Sequence, residues 1–151
     1  MSTEFRARPL IHIVDDDDSM RMALIELLTA IGFDAIGYGS TGEFLLNSLP
    51  DQHGCILLDL GLPGPSGLEL QAALLRKGVA LPIIFLTGHA DVSSSVRAMQ
   101  AGAIDFLEKP VVRDTLLEAL GRALASDIVR RNALEAARRH RERPDVLTPR
   151  E

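Results

Sequence analysis

Four apolar runs end on groups that can do ionic chemistry. Leu10–Val14 runs into Asp15 and Asp16, Cys55–Leu58 into Asp59, Pro82–Leu86 into Thr87 ahead of Gly88, and Ile104–Leu107 into Glu108, Lys109 and Pro110. Such runs in an open parallel sheet finish at the carboxyl edge, where ligands bind, so one edge should gather three carboxylates, a hydroxyl and an ammonium. Left alone, the acids would raise one another's pKa and destabilise the fold. A hard divalent cation resolves the conflict, and Mg2+ suits oxygen ligands that include a phosphate oxygen. A carboxylate nucleophile, a metal, a lysine and a hydroxyl are the parts needed for phosphoryl transfer, with Asp59 as the candidate nucleophile and Lys109 and Thr87 as its partners. Asp17 and Asp18 read more simply, as caps of the helix that starts near Ser19. A cis Lys109–Pro110 bond would aim the ammonium back over the site.

The elements that must position these groups alternate between short apolar runs and segments of helical period, the pattern of a parallel sheet with crossover helices. Strands are predicted at Leu10–Asp15, Asp34–Tyr38, Cys55–Asp59, Pro82–Thr87 and Ile104–Leu107. Helices are predicted at Ser19–Ile31 before Gly32, Thr41–Leu49 before Pro50, Leu68–Lys77 before Gly78, and Val92–Ala101 before Gly102. The last helix begins near Val112 and keeps an apolar stripe of Leu116, Leu117, Leu120, Leu124, Ile128 and Leu134, longer than a sheet requires, so it should project until Pro144. Arg130, Arg131, Arg138, Arg139, Arg141 and Arg143 read as the solvated surface of a linker helix. The stripe falls short of sustained coiled-coil heptads.

With 151 residues, 46% of them hydrophobic, the chain suits one domain and a tail. No run approaches the roughly 20 apolar residues of a bilayer span, and Ser2-Thr3-Glu4 does not open an export signal, so a soluble, cytoplasmic protein is expected, with no membrane partner. Residues 126–151 hold seven arginines against five acids, and the remainder nine basic against sixteen acidic residues. An acidic body is a poor nucleic-acid surface. The single cysteine, Cys55, lies inside a strand and reads as a small buried hydrophobe.

The ordered set Val14-Asp15-Asp16, Leu58-Asp59 with Leu62-Pro63 and Gly67, Phe85-Leu86-Thr87-Gly88 and Asp105-Phe106-Leu107-Glu108-Lys109-Pro110 resembles the receiver domains of two-component response regulators. The resemblance implies a flavodoxin-like α/β fold, five parallel strands in the order 2-1-3-4-5, with an extended C-terminal helix. By the same resemblance Asp59 accepts a phosphoryl group from a sensor histidine kinase. Asp15, Asp16, Asp59 and the carbonyl of Gly61 hold Mg2+, Thr87 and Lys109 bind the phosphate, and Phe106 is the switch aromatic. A receiver is not an enzyme in the usual sense, although it catalyses its own phosphotransfer and dephosphorylation. Gly61 is a departure, because the family usually carries a larger residue there, and phosphoryl lifetime is the property it touches. Ser66–Leu70, Leu86–His89 and Val96–Met99 are similar to the FixJ-type branch, and Leu147–Glu151 to the opening of a LuxR-type helix-turn-helix. The implied organisation is a phosphoacceptor domain over 1–125, a helical linker over 126–146 and the first residues of a DNA-binding domain over 147–151. Homodimerisation on phosphorylation is implied, and DNA binding only in a longer protein that contains the recognition helix.

Two other readings use the same residues. Gly37-Tyr-Gly39-Ser-Thr-Gly42 satisfies the dinucleotide-binding spacing, with Asp59 about 20 residues on, but it follows a strand expected at the sheet edge rather than at the switch point. Ile13–Ser19 mimics the nucleophile loop of haloacid-dehalogenase-like phosphatases, which would make Asp15 the nucleophile. That family needs a further strand ending in acids after Lys109, where this chain offers a helix. His12, His53, His89 and His140 show no metal-ligand spacing, and Ser66 lacks the frame of a serine nucleophile. His89, two residues after Thr87, is placed to overhang the site.

Overall fold

In the computed structural model of the chain, which describes residues 8–47, 52–61, 67–88, 96, 97, 99, 100 and 102–141, the five apolar runs pair into one parallel sheet ordered β2-β1-β3-β4-β5. The strands are β1 (Leu10–Val14), β2 (Asp34–Tyr38), β3 (Gly54–Asp59), β4 (Ile83–Thr87) and β5 (Asp105–Glu108). The helices are α1 (Asp18–Ile31), α2 (Thr41–Leu46), α3 (Gly67–Arg76) and α4 (Arg113–Arg141). Predicted bounds hold to within a residue for every strand. Val96, Arg97, Met99 and Gln100 are helical, and the rest of the Val92–Ala101 prediction lies outside the described residues, as do Pro50, Leu62, Pro63, Ser66, His89, Arg143, Pro144 and 147–151.

Strands β1, β3 and β4 are buried along their whole length, as central parallel strands must be, whereas β2 at the edge alternates between exposed and half-buried positions before ending on the buried Tyr38. Alternate side chains feed two apolar layers. Ile11, Ile13, Cys55, Leu57, Ile84 and Leu86 pack on Leu24 and Leu28 of α1 and on Leu116, Ala119, Leu120 and Ala123 of α4. On the other face Ile56, Leu58, Ile83 and Phe85 pack with Phe44 of α2 and with Leu70 and Leu74 of α3. Cys55 is fully buried, and burial, followed by the nearby charge of Asp127, pushes its thiol pKa well up.

Of the two predicted caps only Asp17 is one; Asp18 is already the first residue of α1. Asp17 caps α1 by accepting from the Met20 amide at 3.1 Å, and Asp18 pairs with Arg21 at 2.5 Å. Gly32, at φ 121°, ends α1 in a conformation that side chains resist. The glycine-rich segment after β2 is also a cap. Ser40 accepts from the Glu43 amide at 3.0 Å, and the Glu43 carboxylate accepts from the Gly39 amide at 2.7 Å. A carboxylate thus occupies the place a pyrophosphate would need. Gly37 is required by packing, since an added Cβ would lie 2.8–2.9 Å from Arg21 and Ile25 of α1. Edge position and cap together remove the dinucleotide reading.

Helix α4 departs from its sequence reading. Its core stripe of Leu116, Ala119, Leu120 and Ala123 continues not through Ile128 and Leu134, which are 43% and 58% exposed, but into the fully buried Asp127. Arg130 and Arg131 are not solvated linker arginines as expected; they turn inward and pair with Asp127 at 2.5 and 2.8 Å. A buried carboxylate left unpaired would be costly, and adjacent guanidinium groups remove that cost. Arg138 and Arg139 pair with Glu135 along the exposed surface.

His12 makes a buried polar contact inside the sheet. Its Nδ1 lies 3.0 Å from the Tyr38 hydroxyl, with Phe44 edge-on at 5.7 Å, and burial lowers its pKa to about 4. The unfolded chain therefore binds a proton below the ordinary histidine value of about 6.5, while the folded chain resists until about 4. Stability present at neutral pH should be lost as pH falls through that window. Urea unfolding at about pH 7.5 and about pH 5 should differ by roughly 2 kcal/mol from this group. A His12→Phe variant should show a difference smaller by that amount; an equal difference would remove His12 as the cause.

Candidate functional site

Parallel register brings the remote acids together. Val14 pairs with Leu58, so Asp15 and Asp59 leave neighbouring strands at the same height. Leu86 pairs with Asp59 and Thr87 with Glu108, while the Lys109 amide donates to the Thr87 carbonyl at 2.7 Å. The four strand ends therefore share one edge. Carboxylate oxygens of Asp15, Asp16 and Asp59 all lie within 4.8 Å of one another. Lys109 Nζ stands 2.8 Å from Asp15 Oδ2 and 3.5 Å from Asp59 Oδ2. The Lys109–Pro110 peptide is cis.

The acids are held as well as gathered. Asp15 Oδ1 accepts from the Asp17 amide at 2.9 Å, and the Asp15 carbonyl accepts from Arg21 at 2.7 Å. The Gly61 amide donates to Asp59 Oδ1 at 3.0 Å, leaving Oδ2 turned toward the lysine. Asp15 is 0% and Asp59 6% exposed, and Asp16 faces solvent. Burial raises the Asp59 pKa, opposed by the Gly61 amide; the charge of Asp15 raises it further and that of Lys109 lowers it. Burial alone would lower the Lys109 pKa, but its hydrogen bond to Asp15 and the charge of Asp59 raise it, so the ammonium stays charged. Three carboxylates facing one ammonium leave excess negative charge on hard oxygen donors, which fits a divalent cation such as Mg2+.

Thr87 is buried at the end of β4, in reach of the same edge. Phe106 is half-buried on β5, its ring 6.3 Å from Phe85, beside a cleft formed with Val111, Val112 and Thr115. Asp15, Asp16, Asp59, Gly61, Thr87 and Lys109 thus lie at this edge, Phe106 lies three residues before Lys109 on β5, and His89 falls outside the described residues. The reading missed Asp127, whose inward position follows from its four-residue spacing after Ala123, and His53, which pairs with it at 2.6 Å.

A doubly wound five-stranded sheet in the order β2-β1-β3-β4-β5, with an acid cluster and a lysine at its carboxyl edge, is a flavodoxin-like fold rather than a dinucleotide-binding one. The response regulator receiver domain model matches residues 11–121, and the chain belongs to that family. It is 40% identical over 149 residues to nodulation protein W of Bradyrhizobium diazoefficiens, covering 99% of this chain and 66% of that protein. It is 40% identical over 114 residues to the transcriptional regulatory protein FixJ of Azorhizobium caulinodans, covering 76% of this chain and 54% of that protein. Among solved structures it resembles the response regulator StyR, with a TM-score of 0.86 and 40% identity over 95% of this chain and 72% of that one. The crystal structure of FixJ-N gives a TM-score of 0.71 at 40% identity, covering 78% of this chain and 94% of that one. The chain thus spans about half to two thirds of the length of these curated relatives. Among the described residues no helix is long and apolar enough to cross a membrane.

Proposed function

We propose that this chain is the phosphoacceptor part of a transcriptional response regulator and that Asp59 takes a phosphoryl group from the phosphohistidine of a sensor histidine kinase. One observation carries the reading: a nearly buried carboxylate, Asp59, has two further acids within 4.8 Å and an ammonium at 3.5 Å. The Gly61 amide fixes one Asp59 oxygen, so the other attacks phosphorus while the phosphorus–nitrogen bond of the donor breaks. Lys109 and Thr87 then face the phosphoryl oxygens. Asp15, Asp16, Asp59 and the Gly61 carbonyl would hold Mg2+, which when bound supplies charge neutralisation at the transferred group. Hydrolysis of the acyl phosphate by water, self-catalysed at the same site, returns free Asp59.

The acyl phosphate adds nearly two negative charges beside Thr87 and Lys109. Closure of hydroxyl and ammonium on it leaves room for Phe106 to turn inward and biases the face around β5 toward homodimerisation. Shifting such an equilibrium from 1:99 to 99:1 takes about 5.5 kcal/mol, within reach of several charge-assisted hydrogen bonds. We assign 1–125 to the phosphoacceptor domain, 126–146 to a linker and 147–151 to the start of a LuxR-type helix-turn-helix, with DNA binding belonging to a longer protein. The phosphatase alternative finds no support, because after Lys109 the chain runs directly into α4, with no added strand bearing acids among the described residues.

The test is intact mass with acetyl phosphate and Mg2+. A single phosphoryl adduct mapping to Asp59, together with a doubled mass by light scattering under beryllofluoride, is expected. No adduct, or one on Asp15, overturns the assignment; an unchanged scattering mass overturns the dimerisation step.

A further inference from the structure

The amino ends of β3 and β5 carry a second set of charges, opposite the site. Asp127 of α4 is 0% exposed. Its Oδ2 accepts from His53 Nδ1 at 2.6 Å, from the Gly54 amide at 3.0 Å and from Arg131 Nε at 2.8 Å, and its Oδ1 accepts from Arg130 at 2.5 Å. Arg131 reaches on to the Gln52 carbonyl at 2.7 Å. Burial would raise the Asp127 pKa, but the bonds from His53, Arg131, Gly54 and Arg130 hold it below the usual carboxylate range. Less than two turns earlier on the same helix, Arg122 donates to Asp105 Oδ2 at 2.5 Å, and Asp105 Oδ1 accepts from the Phe106 amide at 2.7 Å.

These two ties join α4 to two particular strands. Gly54 begins β3, which ends on Asp59; Asp105 begins β5, which runs through Phe106 to Glu108, directly before Lys109. One helix is thus bonded to the far ends of both strands whose near ends carry the acceptor and the lysine. Both strands pair with β4, so each is held as a unit from its amino end to the edge that carries the site. The ties also differ in kind. The Asp127 cluster is buried, with two backbone contacts, and acts as a fixed anchor, whereas Arg122 is half exposed and can follow β5. Beyond Asp127 no residue of 128–141 is buried, so the Asp127 cluster is the last buried tie between α4 and the sheet.

We propose that Asp127 is a positioning residue, an anchor that makes the placement of α4 report the position of β5 relative to β3. The proposal rests on phosphorylation at Asp59. A merely structural Asp127 would stabilise α4 equally in both states; an anchor makes the difference between states depend on it.

The measurement is amide hydrogen exchange over 113–141 of the full chain, with and without beryllofluoride and Mg2+, in the parent, Asp127→Asn and Arg122→Ala. In the parent, exchange should change by about threefold or more between states. That difference should fall by at least about half in each variant, while adduct formation from acetyl phosphate stays within about twofold. Should Asp127→Asn fail to fold, the exposed Arg122→Ala carries the same test alone. A state difference that persists in Arg122→Ala, or an absent difference in a parent chain that forms the Asp59 adduct, overturns the anchor. Failure of the parent to form any adduct overturns the proposed function and the anchor with it.

Discussion

Replacing Asp59 by Asn is expected to cut phosphoryl labelling by at least about a thousandfold and, in the absence of divalent cations, to raise the melting temperature. The first effect follows from chemistry: an amide oxygen is a poor nucleophile, and a lost covalent step cannot be recovered by neighbours that only orient. The second follows from the site's electrostatics. Burial and the charge of Asp15 raise the Asp59 pKa, so the folded state holds this proton more tightly than the unfolded chain does. Stability is then lost as pH rises through the ordinary aspartate value toward the raised one, and at neutral pH the ionised carboxyl is a net cost. Asparagine keeps the shape and removes the charge. For a chain of this size each kcal/mol relieved corresponds to roughly 2–4 °C. Mg2+ should stabilise the parent and do little for Asp59→Asn. Scanning calorimetry with and without Mg2+, beside labelling by acetyl phosphate, separates the two effects. Labelling that survives in Asp59→Asn and disappears in Asp15→Asn would instead match the phosphatase mechanism.

Gly54→Ala should destabilise the fold by about 3 kcal/mol or more. An added Cβ would lie 1.9 Å from the Leu10 carbonyl oxygen, which no conformational adjustment of a side chain can relieve because the obstacle is backbone. Strands β1 and β3 would have to separate where Leu10 donates to the His53 carbonyl at 2.9 Å, and the Gly54 amide would leave Asp127. Gly121→Ala supplies the control. Nothing lies within 4 Å of its added Cβ, and alanine in a helix interior is favoured over glycine by about 0.5–1 kcal/mol, so that variant should be slightly more stable. Urea unfolding of the pair reads both signs, and comparable midpoints for the two would defeat the steric account.

The edge that gathers the acids was legible because its logic is one of order: each acid, the threonine and the lysine terminates an apolar run, and parallel pairing places all such ends together. The cap at Asp17 was legible, since capping depends on a few adjacent residues, whereas Ser40 was read only as part of the glycine-rich spacing. Gly54 carried no such signal, because its necessity comes from Leu10, a residue remote in sequence that becomes its neighbour only by sheet register. Arg130 and Arg131 were misread, and Asp127 was missed, for the opposite reason. They lie in a charged stretch where solvation is the ordinary fate, and only the spacing from Leu116, Ala119, Leu120 and Ala123 marks position 127 as inward. Hydrophobic periodicity identifies an apolar stripe; it does not register a paired acid that continues one.

The complete burial of Cys55 within β3, with its thiol held in the unreactive protonated form, has a practical corollary. Since the chain contains no other sulfhydryl, maleimide dyes and nitroxide reagents would find nothing native to modify while the protein stays folded. A cysteine introduced on the exposed surface can therefore be tagged selectively without first editing out the natural one.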